Sequence, residues 1–215
     1  NLLYFPVQTT KYHGGNWCVY SSGGTQRIDF TNNSVYDFTS GEPFTFEFWY
    51  FPVTSSLVQF MLNRGIVDVA GYHIFQNSDN KVYFRTSQSG AHQDSQSVAL
   101  TMERWNHVAI TYNGSTAAEL FINGNKTGMV AGTHTAPSTN TSVLYAFRDN
   151  SGGNLCDCMM KEIRVWKRVL TRAEIQKRME RQLNEVEAAN ADLVGYWKLD
   201  DGTGLVAKDD SATAQ

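Results

Sequence analysis

Charge is scarce in this 215-residue chain: only 18% of residues are charged, and 18 Lys and Arg stand against 21 Asp and Glu for a net charge of −3. A nucleic-acid surface needs a basic patch or stripe, so nucleic acid is excluded as a partner. No apolar run approaches the ~20 residues of a membrane-spanning helix, and no membrane insertion is expected. Cysteine is nearly absent, with Cys18, Cys156 and Cys158. An odd number leaves at least one unpaired within the chain. Cys156 and Cys158 lie two apart at the head of a strand, where a bridge would be strained. Buried thiols are the expectation; a bridge from Cys18 to one of the other two and a metal site stand as alternatives, the latter without a Cys-x-x-Cys pair or a supporting His spacing. The opening residues NLLYFPVQTT carry neither a basic region nor a small-residue cleavage site. The chain starts at Asn1 rather than Met, so an excised domain is expected, with neighbouring domains of a parent chain as partners.

What is present is alternation. In FTFEFWYFP (44–52), Phe44, Phe46, Phe48 and Tyr50 hold one parity, while Trp49 and Phe51 make the other apolar as well. That pattern predicts a strand buried on both faces, ended by Pro52. Further strands are predicted at 57–62, 71–76, 81–86, 105–112, 119–122, 126–130 and 142–147. Asn123-Gly124 marks a type I′ hairpin, because both central residues tolerate positive φ. Residues 63–70 read as a glycine-containing loop, and 87–97 and 131–142 as long polar loops. Strands at regular spacing with one late helix predict a two-sheet antiparallel sandwich of the jelly-roll type. At this length residues 1–215 fit one domain, burying roughly 70% of the unfolded surface.

The late helix is well marked. Thr171 is placed to cap it and Glu174 to complete a capping box. Ile175, Met179, Leu183 and Val186 follow at spacings of four, four and three, giving one apolar stripe that must lie on the sheet. A second strand, LVGYWKLD, follows and runs into an acidic glycine turn.

These segments resemble the laminin-G-like, or concanavalin A-like, jelly-roll domains. RIDFTNNSVYDF, FTFEFWYFP, WNHVAITYNG with ELFINGNKTG, MKEIRVWKRVLTRAEIQ and LVGYWKLDDGTG are similar to successive elements of that family, from about Arg27 to Ser211. The resemblance is strongest to the kind found in large bacterial surface or secreted proteins. Where the family often has Ile-Asp-Glu before the helix, this chain has Met160, Lys161 and Glu162. The Tyr-Trp element lies at the C-terminal end, where closing this domain's own sheet is expected. The resemblance implies an extracellular or cell-surface domain that binds a glycan or a surface protein.

It also implies calcium as a cofactor, held by hard oxygen ligands at a sheet edge. Two acidic groups are candidates: Asp149 and Asn150 with Asp68 or Asp94, and Asp200, Asp201, Asp209 and Asp210 around the glycine turn. Simple turn formation by Asp and Asn beside Gly is the competing reading. For a sugar, Tyr145, Arg148, Asp149, Asn150 and Asp94 are the candidate ligand-binding residues. Tyr12, Trp17, Tyr20 and Tyr36 are the other aromatics near loops; the rest belong to a core. A retaining glycosidase needs two carboxyls ~5–5.5 Å apart, and no strand carries such a pair. Glu47 and Glu162 each stand alone, and no Gly-x-Ser-x-Gly elbow exists. A non-catalytic recognition domain is therefore expected, with a protein-binding adhesion or spacer domain as the alternative.

Overall fold

The computed structural model describes residues 3–5, 8–11, 17–30, 34–127, 133–201 and 206–212. Strands are numbered in chain order. The first sheet runs β1 (Leu3–Phe5), β4 (Arg27–Phe30), β13 (Leu144–Ala146), β6 (Gln59–Ile66), β7 (Ala70–Gln76), β8 (Lys81–Gln88) and β9 (Ala91–Ala99). The second runs β12 (Asn125–Lys126), β11 (Ala118–Ile122), β10 (Asn106–Tyr112), β5 (Phe44–Pro52), β14 (Asp157–Trp166), β3 (Trp17–Ser22) and β2 (Gln8–Lys11), with β15 (Leu193–Trp197) added beside β14. Neighbouring strands are antiparallel, and the two sheets face each other across one aromatic core.

The core follows from period-two alternation. Phe44, Phe46, Phe48 and Tyr50 point inward and are fully buried. Phe44 stacks on Phe38 at 4.4 Å and lies 5.2 Å from Tyr112 and 5.5 Å from Tyr72, centroid to centroid. The opposite parity, Thr45, Glu47 and Trp49, faces out of the sandwich. It is covered because the helix predicted at Thr171 lies there, which is why both parities of β5 read as buried.

That helix, α1 (Arg172–Arg178), has the predicted capping box: the Glu174 N–H donates to Thr171 Oγ1 at 3.3 Å and the Thr171 N–H donates to Glu174 Oε2 at 2.8 Å. Its stripe holds only in part. Ile175 and Leu183 pack with Trp166, Leu170, Leu193 and Tyr196 in a second, smaller core, but Val186 is 83% exposed. The helix stops at Arg178, and a separate α2 (Glu185–Ala188) restarts from its own cap at Asn184. The restart breaks the 3.6-residue phase and turns Val186 outward.

Two predicted loops are strands. Residues 63–66 continue β6, and Gly65 and Gly71 face each other across its hairpin with φ of +104° and +94°. A Cβ on either would lie about 2 Å from a carbonyl oxygen of the opposite strand, so these glycines allow the ladder rather than break it. Residues 91–97 belong to β9, the edge of the first sheet. Its polar composition suits an edge half-open to solvent. In the hairpin at Asn123-Gly124 both residues have positive φ, 52° and 70°, as the type I′ turn requires. β15 pairs with β14, so the Tyr-Trp element closes this domain's sheet. All three cysteines are buried, and burial pushes the Cys18 thiol up to about 11. Among the described residues no helix is long and apolar enough to cross a membrane.

Candidate functional site

Two of the residues selected from sequence, Tyr145 and Asp94, fall on the outer face of the first sheet. Strand register sets Asp29, Tyr145, Asn63, His73, Arg85 and Asp94 opposite one another in a single row across five neighbouring pairs. Tyr145 and Asp94, chosen separately, thus share one surface. The Tyr145 ring lies between the guanidinium groups of Arg27 at 5.9 Å and Arg148 at 5.1 Å.

Most of the row is internally satisfied. Arg85 grips Asp94 through two bonds of 2.7 and 2.6 Å and also pairs with Asp68. Asp94 therefore sits on a strand rather than a loop, and both carboxylates are committed to one arginine. His73 is fully buried, bonded to Asn63 at 2.6 Å and to Ser87 at 3.3 Å. Burial, and next Arg85, holds it near 3, so it is neutral.

Asp149 is turned into its own loop. Its Oδ1 accepts from the Ser151 N–H, the Ser151 hydroxyl and the Gly153 N–H, and its Oδ2 accepts from Asn154. Burial opposes its charge, but these four bonds win and lower its pKa. Arg148 folds back onto the carbonyls of Asp149 and Asn150. In the second acidic group Asp209 accepts from the Tyr196 and Ser211 N–H groups, and Asp210 pairs with Lys198 and Lys208. Among the described residues no three His, Cys, Asp or Glu side chains converge as a metal-holding group. Tyr12 lies outside the described residues. Tyr36 is buried, its hydroxyl donating to the Val194 carbonyl at 3.3 Å.

A site with room for a ligand lies on the other sheet. A cleft of about 360 Å³ opens beside the end of α1, walled by Trp17, Trp49 and the turn Met179–Gln182, with Lys198 and Asp200 opposite. Three local features build it. Trp49 and Lys161 are register partners on β5 and β14, and directly opposed residues share a face. Next, the β5–β14 register slips by one residue between Lys161 and Arg164, with Glu162 in the left-handed region at φ 56°. A bulge of this kind re-aims a side chain. Here it brings the sequence neighbours Lys161 and Glu162 to the same cleft, which strict alternation forbids. Finally, the helix ends where it does because Arg164, buried beneath it, donates to the Arg178 carbonyl at 3.1 Å and the Arg181 carbonyl at 2.6 Å, satisfying acceptors that a helix C-terminus leaves open. The row of Trp49 and Lys161 beyond that end stays uncovered.

Trp49 is fixed in place by a 2.7 Å hydrogen bond from its Nε1 to the Met179 carbonyl and by edge contact with His107, 5.4 Å between centroids. Lys161 rests its ammonium on the Trp105 ring at 4.9 Å.

Beneath the cleft, Arg164 binds Glu162 at 2.8 Å and Glu47 at 3.4 Å. Burial disfavours the Arg164 charge, but both carboxylates raise its pKa on balance. Glu47, read from sequence as an outward or hydrogen-bonded residue, is fully buried and also accepts from Trp166 Nε1 at 3.1 Å. The two glutamates are thus joined by one arginine, with Glu47 sealed away from any substrate. General acid and nucleophile must both face the scissile bond, and this pair does not.

Sequence reasoning named Trp17 but missed the cleft around it. In the sequence Trp49 reads as part of an apolar parity and Lys161 as a departure from the family pattern. Their pairing across β5 and β14 is a matter of register that neither segment shows alone.

The family profile described as the concanavalin A-like lectin/glucanases superfamily, of the laminin-G type, matches residues 22–176. Among solved structures, the binding domain of Paraclostridial Mosquitocidal Protein 1 superposes with a TM-score of 0.67 at 19% identity, over 82% of this chain and 46% of that one. The binding domain of botulinum neurotoxin DC, solved in complex with rat synaptotagmin II, gives 0.61 at 15% identity, over 84% and 46%. A Bacteroides ovatus protein classed by inference as carbohydrate binding gives 0.61 at 18% identity, over 97% and 54%. The chain spans about half the length of each of these. No curated protein sequence matches it.

Proposed function

This chain belongs to the concanavalin A-like lectin/glucanase superfamily, and on that premise we propose that it is a non-catalytic recognition domain, displayed outside the cell within a longer protein, that binds glycan in the Trp17–Trp49 cleft. The observation that carries the reading is the pairing of two tryptophans with polar and charged side chains around one hollow. A sugar ring offers an apolar face and a rim of hydroxyls; an aromatic platform answers the first and a few placed polar groups the second. Because Trp49 is already anchored to Met179, little ordering cost remains for the ligand to meet. The B. ovatus neighbour is in keeping with this reading.

A glycan array followed by titration of the retained sugars tests it. Trp49→Ala is expected to weaken binding by about tenfold or more, as loss of a central aromatic anchor does, while Trp49→Phe retains part of it. Unchanged binding by Trp49→Ala removes the cleft from the reading. The same titration with and without a chelator decides the place of calcium at Asp149, Asn150 and Asp68: binding insensitive to chelation dispenses with the ion.

A second reading, a protein-gripping adhesion domain, is favoured by the outer face of the first sheet. There Tyr145 lies between Arg27 and Arg148, residue types enriched at protein interfaces, and the neurotoxin neighbour was solved with a protein receptor. Silence on every glycan shifts the function to that face.

A further inference from the structure

The outer face of the second sheet stays open past the cleft, and that opening bears on the kind of glycan. We propose that the cleft continues into a strip over β5, β14 and Trp105, and that the domain takes a stretch of an extended glycan chain rather than a single terminal sugar; this inference rests on the glycan reading above. Burial along β14 draws the strip. The outward Asp157, Met159 and Lys161 are half-buried, while Cys158 and Met160 between them are buried; from Glu162 onward every position is buried, because there α1 and the turn after it lie over the sheet. The cleft takes in only the Lys161 end of the open run. From Lys161 back to Asp157 is four residues, about 14 Å of strand.

The floor of the strip is built by register. Trp49 and Lys161 are partners across β5 and β14, and two residues along, Phe51 and Met159 are partners in the same way. Side chains two apart on a strand share a face, so both pairs look outward. Trp105, just before β10, sets its ring against Phe51 with 5.6 Å between centroids. It is half-buried, as Trp49 is. The Lys161 backbone lies opposite Trp49 while its ammonium rests 4.9 Å from the centre of the Trp105 ring, so one side chain spans from the first indole to the second. The far end turns polar: Asp157 accepts from the Thr54 hydroxyl at 2.6 Å and from the Tyr20 hydroxyl at 3.4 Å.

A single terminal sugar would fill the hollow at Trp49 and leave the Trp105 half of the strip unused. A chain presents an apolar face on one ring after another, with hydroxyls along its edges. Two half-open indoles answer successive faces, and the Lys161 ammonium between them has N–H groups to donate to hydroxyls passing from one to the other. Each further ring adds apolar contact on strands that are already ordered, so affinity grows with chain length until the strip is filled. Trp105 is then a specificity-determining residue for length, distinct from Trp49, which every ligand of the cleft would meet.

The test is calorimetric titration of the whole chain with cello-, xylo-, manno-, malto- and chito-oligosaccharides, from the disaccharide to the hexasaccharide. In a series that binds, affinity is expected to rise about tenfold or more from the disaccharide to the longest member, as one further well-packed aromatic contact brings. Trp105→Ala is expected to remove most of that rise, whereas Trp49→Ala weakens every length. Trp105→Leu keeps an apolar side chain against Phe51 but has no ring, and is expected to flatten the length dependence likewise, so a folding defect of the alanine form does not decide the result. Affinity that stops growing at the disaccharide, or a length dependence that Trp105→Leu leaves unaltered, overturns the strip and leaves the cleft standing. Sedimentation of the free chain as a dimer that Trp105→Leu dissociates assigns the strip to a second copy and overturns it too. Binding of no member of any series overturns both this inference and the glycan reading.

Discussion

Three buried histidines make the fold sensitive to acid. His73 and His107 are held near 3 and His134 near 4, each first by burial; for His107 the Arg164 guanidinium adds to it. His134 bridges Thr86 and Ser95 through its two ring nitrogens at 2.9 and 2.8 Å. In the unfolded chain all three titrate near 6.5. Below that pH the unfolded state takes up protons that the folded state refuses, so stability falls as pH falls, through the window from about 6.5 to about 4, and continues toward 3 for two of them. Each contributes a slope of about 1.4 kcal/mol per pH unit inside its window. Urea denaturation from pH 7 to 4 checks this. His134→Asn is expected to reduce the slope by one proton's worth, and an unaltered slope would show that His134 is protonated in the fold. At this scale little was legible beforehand. His134 reads as a loop residue, and its burial between β8, β9 and Phe84 comes from a return of the chain that no local pattern encodes. Glu47 is similar: its charge is obvious, but its partner lies 117 residues away.

Elements were better marked than their neighbours in space. The α1 cap was legible because Thr171 and Glu174 satisfy each other over three residues, and the Asn123-Gly124 turn because its conformation is local. Thr171→Ala should cost about 1 kcal/mol, a drop in Tm of about 2–4 °C for a domain of this size, measured by thermal denaturation. Because α1 ends as a wall of the cleft, the same variant tests whether loosening the helix start reaches the ligand. The extent of β6 and β9 was not legible. Glycine and polar runs signal loops on average, yet Gly65 and Gly71 are required by the close approach of two backbones, and the polarity of β9 reflects an edge. The bulge at Glu162 was equally hidden, since it depends on how β14 and β5 slide past each other. The site was missed for that reason: residues 17, 49, 161 and 200 meet only through sheet register.

Across the whole molecule, the sandwich class could be read from alternation and turn spacing, but not which strand completes it. β15 supplies Tyr196 and Trp197 to the two cores, and Trp197 meets Phe30 of the opposite sheet at 4.6 Å. A chain ending at Asn190, though it retains the whole matched stretch 22–176, is therefore expected to lose cooperative unfolding and near-ultraviolet dichroism; a sharp melt would show that β15 is dispensable. β14 lies at the centre of its sheet, between β5 on one side and β3 and β15 on the other, so one of its partners comes from the segment that follows it and two from more than a hundred residues upstream. Loop closure over more than a hundred residues must precede any reward from those pairings. A nascent chain leaving the ribosome can pair β5 with β10 and β2 with β3 early, but the edges of β5 and β3 that β14 covers wait unpaired until β14 has emerged, the stage at which a holding chaperone has most to shield.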